Sequence, residues 1–244
     1  KSLRRYPGCN QRRVSTAGVA QFIVSRYVSR PHTMFEGIYK LPEASYMEVD
    51  VGRENVFRPQ AYWDVHYTNP GKQPSFDEAL DQLDHLLKET VRMQLMSDVP
   101  LGAQLSGGVD SSIVVALMET IRQESGGQHR VKTFSVGFDV ERFSELKYAK
   151  QIADSYGTEH HEIMVGYKDF IDELPLLFWI HDDPLGDPPA IPTYLMCKKA
   201  KEHVSVMLCG EGADEQFGGY FKYAADQYSR FVDWLPSSVR HTLL

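Results

Sequence analysis

The sequence predicts an α/β fold built on a doubly wound parallel sheet. From residue 76 onward, apolar runs of strand length alternate with apolar segments of helical length, and glycine turns follow two of the strands. Such alternation is typical of a parallel sheet whose ligand loops lie at the carboxyl ends of its strands. With 244 residues, 42% of them hydrophobic, the chain can bury a substantial core.

The first 70 residues are less clearly patterned. We predict a helix over residues 14–30, opened by Ser15 or Thr16, and a pair of strands over 35–51, separated by Pro42. A polar stretch rich in Asn, Pro and Gly follows at 69–75. We therefore expect a domain boundary near residue 70, with residues 1–70 and 71–244 in different parts of the protein.

The next elements lead into the most informative stretch of the chain. Apolar residues recur with a helical period over 76–96, and residues 99–105 have the character of a short strand. Residues 105–112 have the sequence LSGGVDSS, and an apolar helix is predicted from residue 113. The N-terminus of a buried helix leaves backbone N–H groups unpaired, and its dipole favours anions. The turn is therefore a candidate phosphate site.

The residue types in this turn support that interpretation. Gly107 and Gly108 allow a close backbone approach that a Cβ would block. Asp110 would repel phosphates unless a divalent cation lay between them, so the turn indicates a metal nucleotide. Hydroxyl donors are supplied by Ser106, Ser111 and Ser112. The alternative, a Ser/Gly turn with Asp110 as a capping residue, explains only one or two of these six residues.

The turn resembles the PP-loop, SGGxDS, of the ATP pyrophosphatases, which cleave ATP between the α and β phosphates and adenylate a substrate. It lacks the Gly-Lys-Ser/Thr ending of a Walker A loop. GMP, NAD, argininosuccinate and asparagine synthetases share this loop, so the resemblance implies the half-reaction and leaves the acceptor open. The ATP-binding residues that it implies are Leu105, Ser106, Gly107, Gly108, Asp110, Ser111 and Ser112.

A second glycine turn follows the apolar run 204–208. Residues 209–220 have the sequence CGEGADEQFGGY, which places three acids within five positions at the exit of a strand. Such crowding is costly unless a cation or proton chemistry requires it. Glu211 and Asp214 would share a face if a helix starts here. The alternative is a solvated acidic helix start stabilised by the helix dipole.

This second turn resembles the S-G-E-G-x-D-E-x-F-x-G-Y signature of the asparagine synthetase family, with Cys209 where serine is usual. Together with the PP-loop, it identifies the chain as a member of that family. The resemblance implies that Asp110 and Asp214 bind magnesium and that Glu211 is the catalytic base. It also implies a PP-loop ATP pyrophosphatase fold. Further ATP contacts that it implies are Val136, Cys209 and Gly210.

Weaker resemblances to the same family occur elsewhere in the chain, in the order in which the family has them. Residues 133–138 resemble the strand whose end meets the adenine, 143–158 the helix after it, and 160–163 the next strand. Residues 27–63 resemble the segment that joins a glutaminase domain to a synthetase domain. The pair of histidines at 160 and 161 could suggest zinc. However, adjacent residues on a strand point to opposite faces. No third candidate ligand lies at the sequence spacing that is typical of a zinc site.

Composition restricts the function class and the compartment. The net charge of −7 argues against a general nucleic-acid binder. The three cysteines, Cys9, Cys197 and Cys209, cannot all pair and lack metal spacing, so we expect a reducing, cytoplasmic environment. We see no apolar run of membrane length and no signal peptide, and the chain opens with Lys1, which suggests a trimmed product.

Three features depart from the family pattern. The glutaminase half needs an N-terminal cysteine, which positions 1 and 2 lack, so this chain alone is not expected to release ammonia from glutamine. Pro188 stands about where one branch carries an arginine for the amino-acid substrate, although another branch has Asp-Pro-x-Ala-Ile-Pro as here. The catalytic lysine should lie beyond the 24 residues that follow Tyr220. We expect a chain that is incomplete at both ends.

The family resemblance implies an ATP-dependent amidotransferase. A carboxylate, aspartate in the first instance, attacks ATP to give an acyl-adenylate and pyrophosphate, and ammonia from glutamine then displaces AMP. The implied partners are these small molecules and an N-terminal glutaminase domain, and a homodimer is allowed. One alternative amidates a sugar, antibiotic or cell-envelope carboxylate, or closes a β-lactam ring. Another is a non-catalytic adenylate-binding protein, against which Asp110, Glu211 and Asp214 argue.

Overall fold

The computed structural model describes residues 3–7, 13–50, 52, 58–66, 71, 73–140, 142, 144–184 and 186–224. The chain divides into two units, one of residues 1–75 with 167–194 and one of residues 76–166 with 195–244. In chain order the described elements are a 3-10 helix (Leu3–Arg5), α1 (Thr16–Ser25), β1 (Ser45–Tyr46), β2 (Gln60–Ala61), α2 (Phe76–Gln94), β3 (Leu101–Gln104), α3 (Val109–Glu124), β4 (Lys132–Phe138), α4 (Leu146–Tyr156), β5 (Glu159–Val165), α5 (Tyr167–His181), α6 (Ala190–Ala200), β6 (Val206–Leu208) and α7 (Ala213–Phe217). None of these helices combines the length and the apolar character that crossing a membrane requires.

The first helix begins where the sequence predicted and ends earlier. The Ser15 side chain accepts a hydrogen bond from the Gly18 N–H at 3.1 Å, so Ser15 is the N-cap of α1. The helix ends at Ser25, because Arg26 adopts a left-handed conformation with φ of 65° and its N–H bonds back to the Phe22 carbonyl. The predicted extension to residue 30 is wrong.

The predicted pair of strands over 35–51 is also wrong. Among the described residues of that range, β1 is the only strand, and its antiparallel partner is β2, beyond residue 51. The Thr33 hydroxyl lies 3.0 Å from the Phe35 carbonyl oxygen and 2.7 Å from that of Ile38, while the Lys40 N–H donates to the Pro31 carbonyl. These contacts fold residues 33–40 into turns, which apolar patterning alone does not reveal.

The second unit contains the predicted parallel sheet, in the order β5-β4-β3-β6. Every pairing in it is parallel, with Gly102 opposite Lys132 and Leu101 opposite Val206. The strands after β3 are first added on one side, as β4 and then β5, before β6 returns to the other side of β3. The strand order therefore reverses between β3 and β6, which makes this the topological switch point of the sheet.

The two faces of the sheet carry different apolar cores. On one face, side chains from α2, α3 and α4 pack around Ala103, Leu105 and Leu208. On the other face, Met196 and Ala200 of α6 pack with Phe134, Val204 and Met207. Helices cover both faces, as right-handed crossovers on the two sides of a switch point require. The predicted doubly wound α/β fold is confirmed.

The two neighbouring histidines of β5 point to opposite faces, as predicted. The His160 side chain is buried, and its Nδ1 lies 2.9 Å from the Thr133 hydroxyl. The His161 ring instead stacks on Phe134, with ring centroids 5.0 Å apart. Burial lowers the pKa of His160. The carboxylate of Glu162, whose Oε1 lies 3.8 Å from His160 Nε2, offsets only part of this lowering.

This burial predicts a pH-dependent stability. The unfolded chain takes up a proton at His160 near pH 6.5, but the folded chain does so only at lower pH. The free energy of unfolding should therefore fall as the pH drops below about 6.5. Denaturant midpoints between pH 7.5 and 5 should show a weaker pH slope for His160→Gln, whereas His66→Gln, at an exposed position, should keep the wild-type slope. An unchanged slope in His160→Gln would contradict the prediction.

Candidate functional site

The two glycine turns meet at the switch point, because β3 and β6 are neighbours and each turn follows one of these strands. In open α/β sheets, ligands bind at this position, outside the carboxyl ends of the strands. A cavity of about 210 Å³ lies between the turns. Its lining residues are Gln104, Ser106, Asp110, Ser111, Gly210, Glu211, Gly212 and Asp214.

Hydrogen bonds between its own residues shape the first turn. The hydroxyl oxygens of Ser106 and Ser111 lie 2.9 Å apart, and Ser111 Oγ also accepts from the Ser106 N–H at 3.2 Å. The Ser112 hydroxyl donates to the Gly108 carbonyl at 2.6 Å. Leu105 is fully buried, and its N–H donates to the Phe134 carbonyl. The turn is thus fixed to the sheet and preformed for a ligand.

Two glycines permit the close packing around this turn. Gly107 has φ of 85°, and a Cβ there would lie 2.6 Å from the backbone nitrogen of Ala149. A Cβ on Gly210 would lie 2.8 Å from the backbone nitrogen of Ser111. Gly210 therefore brings the second turn directly against the first turn of α3. No side-chain hydrogen bond caps α3 at Gly108, which leaves its N-terminus suited to an anion.

Two of the three clustered acids in the second turn face the cavity. Glu211 and Asp214 line it, together with Asp110 from the first turn. Glu211 and Asp214 do not lie on one helix, because Gly212, with φ of 94°, is the N-cap and α7 begins only at Ala213. The fold nevertheless brings both carboxylates to one cavity.

The third acid, Glu215, is paired with a tyrosine. The Tyr220 hydroxyl donates to Glu215 Oε1 at 2.7 Å. This bond raises the pKa of Tyr220 to about 12 and lowers the pKa of Glu215. The Lys222 ammonium lies 4.5 Å from the centre of the Tyr220 ring. These contacts give Glu215 a role in holding the end of the turn.

Several residues predicted at the site do not line the cavity. Val136 lies on β4 and packs against the core on the α6 face. Cys209 is exposed at the end of β6. Leu105, Gly107, Gly108 and Ser112 belong to the first turn without lining the cavity.

Sequence reasoning missed two residues near the site. Gln104 lines the cavity, and the sequence signal for it was a polar residue at the end of an apolar strand. The buried Ser135 donates its hydroxyl to the Leu105 carbonyl. Its local sequence gave no signal for this bond, because Ser135 lies on β4 whereas Leu105 follows β3.

Comparison with known proteins identifies the family. The family model described as asparagine synthase matches residues 82–244, which include both turns. This chain belongs to the asparagine synthase family. The resemblance inferred from the two turns is thereby confirmed.

The similar proteins are much longer than this asparagine synthase family chain. It is 32% identical to asparagine synthetase [glutamine-hydrolyzing] 1 of Bacillus subtilis over 96% of this chain and 36% of that protein. It is 31% identical to a putative asparagine synthetase 2 of Methanocaldococcus jannaschii over 93% of this chain and 42% of that protein. The chain therefore spans less than half the length of either relative.

Solved structures resemble the chain only distantly. An NH3-dependent NAD synthetase from Campylobacter jejuni is 17% identical with a TM-score of 0.38, over 61% of this chain and 62% of that one. A U34-tRNA thiolase from Methanococcus maripaludis is 20% identical with a TM-score of 0.39, over 58% and 51%. The family assignment rests on the family model.

Proposed function

We propose that this chain is the ATP-activating part of a glutamine-hydrolysing asparagine synthetase. The observation that carries the proposal is the convergence of the two family turns on one cavity, where Asp110, Glu211 and Asp214 meet the N-terminus of α3. The names of the relatives favour aspartate as the acceptor over a sugar, antibiotic or cell-envelope carboxylate. The three acids favour an enzyme over a non-catalytic adenylate-binding protein.

In this proposal the first turn holds the phosphates of ATP. The backbone N–H groups at the start of α3 offer donors to an anion, and the helix dipole adds a favourable potential. Ser106 and Ser111 line the cavity and can redirect their hydroxyls from each other to a phosphate oxygen. Val136, Cys209 and Gly210 would contact the rest of the nucleotide, by analogy with the family.

The carboxylates fit a magnesium ion that accompanies ATP. Among the described residues, no group of three or more His, Cys, Asp and Glu side chains could hold a metal alone. Magnesium is usually bound by one or two carboxylates together with substrate phosphates and water. Asp110 and Asp214, which line the same cavity, would supply these carboxylates. The ion would neutralise the phosphate charge that Asp110 otherwise repels.

The family resemblance implies the reaction, and the cavity supplies groups for its steps. The aspartate side-chain carboxylate attacks the α-phosphorus, and the bond to the leaving pyrophosphate breaks. Ammonia attacks the acyl carbon of the adenylate, and AMP leaves with the electrons of the acyl–oxygen bond. Glu211 lines the cavity without belonging to α7, and it takes the proton from the attacking amine. The source of ammonia would be an N-terminal glutaminase domain, of which residues 1–70 would form the C-terminal end and the linker.

Product analysis tests the proposal. Full-length protein with Mg-ATP, aspartate and ammonium should release pyrophosphate, AMP and asparagine in equal amounts. Ammonium is used so that the result does not depend on a glutaminase. Leaving out aspartate is the control, and it should abolish pyrophosphate release. Orthophosphate as the sole phosphorus product would exclude the PP-loop reaction, and pyrophosphate release with another carboxylate but not aspartate would move the acceptor to that carboxylate.

A further inference from the structure

Two exposed cysteines lie on or directly after consecutive elements, and one of them opens the second glycine turn. Cys197 lies on α6, and Cys209 follows the last residue of β6. Both thiols are free in the structure. We propose that Cys197 and Cys209 form a peroxide-sensitive thiol pair whose disulfide switches off ATP binding. The effect on ATP rests on the proposed function, whereas the pairing itself does not.

Packing of α6 on the sheet places the two residues on the same face of the sheet. Met196 and Ala200 of α6 belong to the same apolar cluster as Met207 of β6. Side chains alternate along a strand, so Cys209 follows Met207 toward α6, whereas Leu208 joins the core on the opposite face. Cys197 adjoins Met196 and lies one turn before Ala200. A crossover helix runs antiparallel to its strands. Going back from Ala200 to Cys197 on the helix, and on from Met207 to Cys209 after the strand, therefore both lead toward the carboxyl edge of the sheet.

The electrostatics of the two thiols agree with this placement. Burial raises the pKa of Cys197, and the nearby thiolate charge of Cys209 raises it further. Cys197 therefore remains a thiol at neutral pH. Since the thiolate is the reactive form, the raised pKa of Cys197 disfavours Cys197 as the first site of oxidation, and Cys197 should act as the resolving thiol.

The chemistry needs only a hydroperoxide as oxidant. The Cys209 thiolate attacks one peroxide oxygen, the O–O bond breaks, and hydroxide leaves, which gives a sulfenic acid. The Cys197 sulfur, losing its proton, then attacks the Cys209 sulfur and displaces hydroxide. In total, two thiols and one hydrogen peroxide become one disulfide and two waters. A thiol reductant reverses the change.

A disulfide at Cys209 would disturb the cavity because the next residue has no free space. Gly210 is so close to α3 that even a methyl group on it would lie 2.8 Å from the Ser111 nitrogen and 2.9 Å from Asp110 Cβ. A disulfide holds its two Cα atoms about 4.4–6.8 Å apart. Fixing Cys209 to α6 therefore constrains the turn that carries Glu211 and Asp214, and ATP should bind more weakly.

The test uses full-length protein treated with hydrogen peroxide. Peptide mapping by mass spectrometry without reduction should find the Cys197 and Cys209 peptides linked. Aspartate-dependent ATP–pyrophosphate exchange should fall at least tenfold and recover with dithiothreitol. Cys197→Ser should keep its basal exchange and lose at most twofold on oxidation. Cys9→Ser, the matched control, should remain as sensitive as the wild type.

Each outcome decides a separate point. Absence of the linked peptide at excess peroxide overturns the thiol pair, whatever the activity. A linked peptide with unchanged exchange overturns the switch. If peroxide inactivates Cys197→Ser as strongly as the wild type, the effect belongs to Cys209 alone, and the disulfide switch is overturned. If untreated protein shows no exchange at all, the proposed function fails, and the peptide map still decides the pairing.

Discussion

Glu211→Gln should lower the rate of asparagine formation by about 10²–10⁴-fold, the usual contribution of a positioned general base. Glutamine keeps the size and hydrogen-bonding capacity of the side chain but cannot take the proton from the attacking amine. Glu211 lines the cavity from a turn outside α7, so the substitution should leave the fold intact. Turnover is measured with ammonium as donor, and ATP affinity by equilibrium binding should stay within a few-fold of wild type.

Glu215→Gln provides the matched control for this prediction. It makes the same chemical change four residues later, where the carboxylate accepts the Tyr220 hydroxyl and does not line the cavity. Its amide oxygen can still accept that bond, so turnover should change only a few-fold. If Glu211→Gln instead lost Mg-ATP binding and kept its turnover per bound complex, Glu211 would be a metal ligand, and its assignment as base would be withdrawn.

The sheet could be predicted because its signals are local. Each strand of the second unit is a short apolar run between turn residues, and each helix carries its own period. The stacking of helices on both faces follows from the direction of the crossovers. The position of the ligand loops at strand ends could be inferred because two glycine turns with chemically complementary residues each followed a strand, whereas the strand order, and with it the switch point, was seen only in the structure. Elements in the first unit were less predictable, since β1 pairs with β2 across a long connection.

The partners of single charged side chains could not be predicted. Glu119 directly follows the apolar run 113–118 of α3. Only 1% of its side chain is exposed, because it pairs with Arg122 and accepts the Val131 N–H at 2.9 Å. Glu215 was counted among the clustered acids, but it bonds to Tyr220. Arg122 lies one helical turn after Glu119, and Tyr220 lies five residues after Glu215. Residue spacing allows both pairs, but only the folded chain shows that they form.

Asp110→Asn should weaken Mg-ATP binding by at least tenfold, about 1.4 kcal/mol. Asp110 lies in the first turn of α3 and lines the cavity. A neutral amide retains the shape of the side chain and cannot supply an anionic ligand to magnesium, which prefers carboxylate oxygens. Titration with Mg²⁺ at fixed ATP should therefore show a higher metal requirement in the variant, while the denaturant midpoint stays close to wild type, because Asp110 is outside both apolar cores.

Asp154→Asn is the matched control for the metal requirement. Asp154 lies on the exposed surface of α4, where it pairs only with Lys150 among the contacts of the described residues, and an exposed pair of this kind contributes little to stability. Its magnesium titration should match that of the wild type. Suppose Asp110→Asn bound Mg-ATP normally but unfolded at lower denaturant concentration. Asp110 would then be a residue that stabilises the start of α3, and the magnesium site would have to be built on Asp214 and the phosphates alone.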